Sequence, residues 1–279
     1  MNLSDKDSFG LETSAPNALN YWRETRQPIY SAALILPFVV VYEVGILLLR
    51  SELINGGDAI VRTLFGRFFN LVGVNFNFVS LAVMITFFLI WQIVKKGVWR
   101  IRLSLLAMSF FESLLYAVVL FMLLGYLVQY LPRSNAMTAP TRAICASENL
   151  TRPATIVPLA SLLPLAHEKP GLQDFVLYCG AGVYEELVFR VMLLGLLLLV
   201  FTRLFHMEHA YGAVWAVIVG ALIFAAFHHI GGEAFTLGRF LQRSFAGLYF
   251  AAIYLNRSFG IAVASHAFYD ILIGLNHWR

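Results

Sequence analysis

A helix needs about 20 mostly apolar residues to cross the hydrocarbon core of a bilayer, and this sequence repeats such a run along most of its length. Residues 29–49 form the first, bounded by Arg26 and Arg50. Residues 76–94, closed by Lys95 and Lys96, and residues 103–130 follow. Residues 172–205 are too many for one simple crossing and read as a long tilted helix or a broken pair. Residues 211–230, 240–255 and 259–275 complete the set. In lipid each backbone polar group must be satisfied within its own segment, so runs of this kind have to be helical. The expected fold is therefore all-α, a polytopic integral membrane bundle of about seven transmembrane helices, with six or eight as alternatives.

Composition agrees. Of 279 residues, 59% are hydrophobic and 13% charged, against roughly half and a quarter in soluble domains. The net charge of +4 comes from basic residues placed mostly between the apolar runs, where charge is expected at a membrane surface. No basic helix or aromatic-interleaved stripe is present, so nucleic acid is not an expected partner. The bilayer is. Cys145 and Cys179 stand apart and cannot build a thiolate zinc cage; Cys179 reads as a small packed hydrophobe.

The chain divides by composition. Residues 1–28 are polar, with no apolar core near Met1, so a cleaved signal peptide is not expected. Residues 29–130 form a three-span N-terminal half, in which residues 58–72 read as an amphipathic helix lying in the interface with Arg62 and Arg67 on its wet side. Residues 131–170 hold most of the prolines and read as a long extramembrane loop. Residues 171–279 form a C-terminal half with the marks of a catalytic unit.

Those marks are ionisable groups at membrane depth, which cost about 2.5–3.5 kcal/mol each and are rarely accidental. Glu43 and Glu112 lie in the first half without an assigned role. In the second half, Glu186 and Arg190 are four residues apart and share a helical face, which suits an ion pair. Glu185 points about 100° away from that pair, which makes it the candidate general base or acid. His266 and Asp270 repeat the four-residue spacing in the last run. A histidine there can move a proton or donate to an oxyanion, and a neighbouring carboxyl can fix its tautomer. His228 ends its run, and the adjacent His229 faces elsewhere. A second reading of these groups is a polar clamp between helices. Counted along alternating crossings at about 1.5 Å per residue, Glu185, His228, His266 and Asp270 fall within one half of the bilayer. Four such groups from three helices suit water-mediated amide hydrolysis: activation of water, stabilisation of the oxyanion, protonation of the amine. No H-E-x-x-H zinc motif and no G-x-S-x-G nucleophile elbow occurs. A zinc site from Glu185, His228 and His266 stays open.

Three motifs in order carry a resemblance: Glu185-Glu186-Leu-Val-Phe-Arg190, Phe224-Ala-Ala-Phe-His228 and His266-Ala-Phe-Tyr-Asp270. With them the chain resembles the CAAX protease and bacteriocin-processing (CPBP) family, which includes the type II CAAX prenyl endopeptidases. The resemblance spans about residues 175–275. It implies a metal-independent, glutamic-type intramembrane endopeptidase with a peptide or protein substrate and no cofactor. Glu185 and His228 would activate water, His266 and Asp270 would form the oxyanion hole, and Glu186 and Arg190 would order the site. The prenyl endopeptidases carry Asn where this chain has Asp270, and an ionised Asp cannot donate to an oxyanion. Either Asp270 is protonated or it orients His266. The resemblance implies a bacterial-type member in the cell membrane, whose substrate need not be prenylated. The alternatives are a zinc-dependent protease, a non-proteolytic scaffold or bacteriocin-immunity protein, and a proton-relaying transporter.

Overall fold

In the computed structural model, residues 18–49, 76–96, 99–130, 171–230 and 235–276 are described. The expected interfacial helix at 58–72 and the loop at 131–170, with Cys145, lie outside them. Among the described residues every regular element is helical: α1 (Ala18–Thr25), α2 (Pro28–Leu48), α3 (Phe76–Val94), α4 (Leu103–Val128), α5 (Leu172–Leu204), α6 (His209–Ile230), α7 (Leu237–Asn256) and α8 (Phe259–Asn276). α2 starts on Pro28, whose missing N–H costs nothing at the first helical position. Thr236 caps α7 by accepting the Arg239 N–H at 3.2 Å.

The five helices α2, α4, α5, α6 and α8 are long and apolar enough to cross a membrane. α7 has the length, but Arg239, Gln242 and Arg243 interrupt its apolar character. Outward-facing residues such as Leu36, Val40, Leu47, Leu115, Met122, Leu196 and Leu199 are largely exposed, as side chains facing lipid must be. The long run after residue 170 is one helix and not a broken pair. α5 extends without interruption, relaxing into π-helical turns at Leu187–Leu193 and Val200–Leu204. A π turn adds a residue to the helical circuit, and such turns occur often at functional sites. The first follows Glu185 and Glu186 and contains Arg190.

α8 is the axis of the bundle, packed against α2, α4, α5 and α7. Its residues Ile261–Ala264 and Ala267 are buried without room to spare. Small residues let its neighbours approach to backbone contact. A Cβ on Gly182 of α5 would lie 2.8 Å from the Ala267 nitrogen, and one on Gly260 would lie 2.5 Å from the Cα of Ser31 in α2. At that second crossing Gly260 N donates to Ser31 Oγ at 3.1 Å. The N-terminal helices are thus part of the support for α8, which holds His266 and Asp270.

Candidate active site

Three helices bring the predicted residues together. Glu185 and Glu186 end the first α-helical stretch of α5, His228 lies in the last turn of α6, and His266 and Asp270 lie at mid-length of α8. Glu185 Oε2 is 3.6 Å from His228 Nε2 and 3.9 Å from His266 Nε2. His266 Nε2 is 3.5 Å from Asp270 Oδ2. All four line one cavity of about 680 Å³, which also takes a wall from Leu124 of α4. That volume falls within the usual range of ligand pockets, roughly 300–1,000 Å³.

Behind the cavity, Glu186 and Arg190 are completely buried and paired, with Arg190 Nε 3.1 Å from Glu186 Oε2. The pair has a further contact that helical spacing alone does not reveal. Glu186 Oε1 meets His266 Nδ1 at 2.9 Å, linking α5 to α8. A carboxylate there accepts from Nδ1–H and fixes the ring. Phe250 stacks on the His266 ring at 4.5 Å, and the Arg190 guanidinium lies over Phe224, 4.9 Å from its centroid. Phe224 serves twice, because its carbonyl accepts from His228 Nδ1 at 2.9 Å and its ring edge meets the imidazole. A carbonyl only accepts, so Nδ1 carries a proton and Nε2 is the atom turned to Glu185. His229 points away and packs on Phe235 and Phe240.

Glu43 and Glu112 find partners elsewhere. Glu43 accepts from the Tyr184 hydroxyl at 2.8 Å. Glu112 binds Arg257, in the turn between α7 and α8, at 2.5 and 2.6 Å, and accepts from Tyr21 of α1. The Arg257 guanidinium also lies 3.8 Å from the Trp22 ring centroid. Neither glutamate lines the cavity described above.

Sequence reasoning missed the contribution of α7. Arg239, Gln242 and Arg243 line the same cavity. The available signal was an anomaly of placement: Arg239 in the first turn of a helix, where the positive end of the macrodipole disfavours cations, with Arg243 one turn further on.

Residues 169–272 match the family model described as Type II CAAX prenyl endopeptidase Rce1-like. That stretch contains all three motifs, and the resemblance read from them holds over it. At the level of the family, the match points to a membrane protease of the CAAX type, with a peptide or protein substrate in a lipid environment. No curated protein and no solved structure matches the chain.

Proposed function

We propose that the protein is a membrane-embedded glutamic-type endopeptidase in which Glu185 is the general base. The observation that carries this reading is the position of the Glu185 carboxylate, within 4 Å of two histidines from two other helices and on the wall of a cavity. With Nδ1–H donated to the Phe224 carbonyl, neutral His228 turns a lone pair on Nε2 toward Glu185. A water donating to both acceptors is polarised from two sides. Its oxygen attacks the peptide carbonyl carbon, its proton passes to Glu185, and the carbonyl π pair moves onto oxygen. Collapse re-forms the carbonyl and breaks the C–N bond, and the departing amine takes the proton back from Glu185. Glu186 and Arg190 act as positioning residues, holding the ring of His266. Asp270, 3.5 Å from Nε2 of that ring, orients it from the cavity side.

The test uses purified protein in proteoliposomes and a library of internally quenched peptides. Glu185→Gln and His228→Ala each lower cleavage by at least about 100-fold, with expression and membrane insertion unchanged. Full activity in either variant overturns the mechanism. The natural substrate is sought by comparing the proteome of the native host with that of a Glu185→Gln strain, in which an uncut precursor accumulates.

A further inference from the structure

We propose that Glu43 of α2 is a positioning residue for cleavage, an inference that rests on the endopeptidase reading above. By accepting from the Tyr184 hydroxyl, it fixes the rotation of α5 that presents Glu185 to the cavity. An ionisable group within a membrane-length helix is costly and calls for a compensating role, yet Glu43 does not line the cavity. The Tyr184 hydroxyl donates to Glu43 Oε1 at 2.8 Å, and Tyr184 is only 6% exposed. That bond ties α2 to the residue immediately before Glu185.

The seam between α2 and α5 is tight along the turns that lead to this bond. Val176 packs on Gly45, and the Tyr42 ring packs on Gly180, each so closely that a Cβ on the glycine would collide. The Tyr42 and Tyr184 rings meet at 5.3 Å. Close packing of this kind sets the distance between two helices. A hydrogen bond is directional as well, so the Glu43 carboxylate adds control over which way α5 is turned.

Three consecutive side chains of α5 make that rotation matter. Successive residues leave a helix about 100° apart, so Tyr184 and Glu186 flank Glu185 on its two sides. Tyr184 is held by Glu43 of α2 at 2.8 Å, and Glu186 by His266 of α8 at 2.9 Å. Between them the Glu185 carboxylate faces His228 at 3.6 Å and His266 at 3.9 Å. Loss of the Glu43 bond removes the directed restraint on the α2 side. Side chains reach about 5–6 Å from the helix axis, so a turn of about 10° carries the Glu185 carboxylate about 1 Å. A misplacement of about 1 Å is enough to slow a reaction by roughly 100-fold.

The experiment takes a peptide that the wild-type protein cleaves from the quenched library and measures kcat and KM in proteoliposomes. Tyr184→Phe, which removes only the donor, and Glu43→Leu each lower kcat by about 10-fold to 100-fold with KM little changed. The double variant is no slower than the slower single one, because both remove the same bond. Glu43→Gln keeps an acceptor for the Tyr184 hydroxyl and stays within about threefold of wild type. Val176→Ala, on the same seam, serves as the stability control. It lowers the thermal midpoint in detergent at least as far as Tyr184→Phe and leaves kcat within about threefold. An equal loss of kcat in Val176→Ala overturns the proposal and makes the seam a matter of stability alone. A Glu43→Gln variant as slow as Glu43→Leu overturns it in favour of a role for the charge, and unchanged kinetics in Tyr184→Phe overturn it outright. Glu185→Gln in the same assay separates the two levels. If that variant is inactive while Tyr184→Phe and Glu43→Leu are normal, only this inference falls. If Glu185→Gln cleaves normally, or the wild type cleaves no library member, the endopeptidase reading falls and takes this inference with it.

Discussion

Glu186 touches both sides of the polar cluster, accepting from His266 with one oxygen and facing Arg190 with the other. Removing one partner of a buried ion pair leaves the other charge uncompensated, a cost of about 3–5 kcal/mol. Glu186→Ala is therefore expected to lose about that much stability, read by thermal unfolding in detergent. The double variant Glu186→Leu/Arg190→Met recovers most of the stability and no cleavage, because His266 still lacks its acceptor. At the same scale, the proposed glutamic mechanism requires no metal ion. Among the described residues no group of three or more His, Cys, Asp or Glu is arranged to hold a metal ion. Cleavage is expected to survive EDTA and dipicolinate, with metal content of the purified protein well below one equivalent. Chelator inhibition reversed by zinc would replace the glutamic mechanism.

At the level of elements, the site depends on how closely α5 approaches α8. Gly182 lies one turn before Glu185 and Glu186, and the added Cβ of an alanine there would meet backbone and Cβ atoms of Ala267, the residue after His266. Backbone cannot swing aside as a side chain can, so Gly182→Ala must push the two helices apart. The expected cost is about 1–3 kcal/mol of stability, together with a loss of cleavage greater than the stability change explains, since Glu186 and His266 separate. Ala267→Gly restores part of both, because the Ala267 Cβ is only one of the atoms met. Thermal shift and peptide cleavage, measured in parallel on the two single variants and the double, check this. The π turn beginning at Leu187 belongs to this scale as well. It gives α5 a local change of winding at the position where Arg190 must meet Glu186.

Across the whole molecule, one end of the bundle is tied by Glu112, Arg257, Tyr21 and Trp22, which join α1, α4 and the α7–α8 turn. Burial, then the hydrogen bond to the Glu112 carboxylate, pushes the Tyr21 hydroxyl up to about 12 from its ordinary value of 10.0. A pKa raised by folding means that the contribution of Tyr21 is complete below its unfolded value and lost as pH rises toward its folded value. Stability is expected to decline between pH 10.0 and about 12 in part through this group. Tyr21→Phe should show a shallower decline over the same window, measured by chemical unfolding in detergent. An equal slope in both proteins would remove Tyr21 from the account. The exposed apolar faces of α2, α4, α5 and α6 place the whole bundle in lipid. The protein is expected to stay with membranes under carbonate or urea and to require detergent for release.

Hydropathy is a property of consecutive residues, so it was legible one run at a time: which segments are helices, that lipid covers them, and that Glu185, Glu186, Arg190, His228, His266 and Asp270 lie inside them. Helical spacing paired Glu186 with Arg190 and His266 with Asp270, because residues four apart share a face whatever surrounds the helix. Contacts between helices depend instead on their rotation and crossing, which no single run encodes. Only the tertiary structure joined Glu186 to His266, gave Glu43 to Tyr184 and Glu112 to Arg257, and turned the arginines of α7 into the cavity. In the sequence those arginines read as an interruption of an apolar run. In the bundle they line the same cavity as Glu185, and small residues such as Gly182 and Gly260 let α8 sit at its centre with its neighbours drawn close around it.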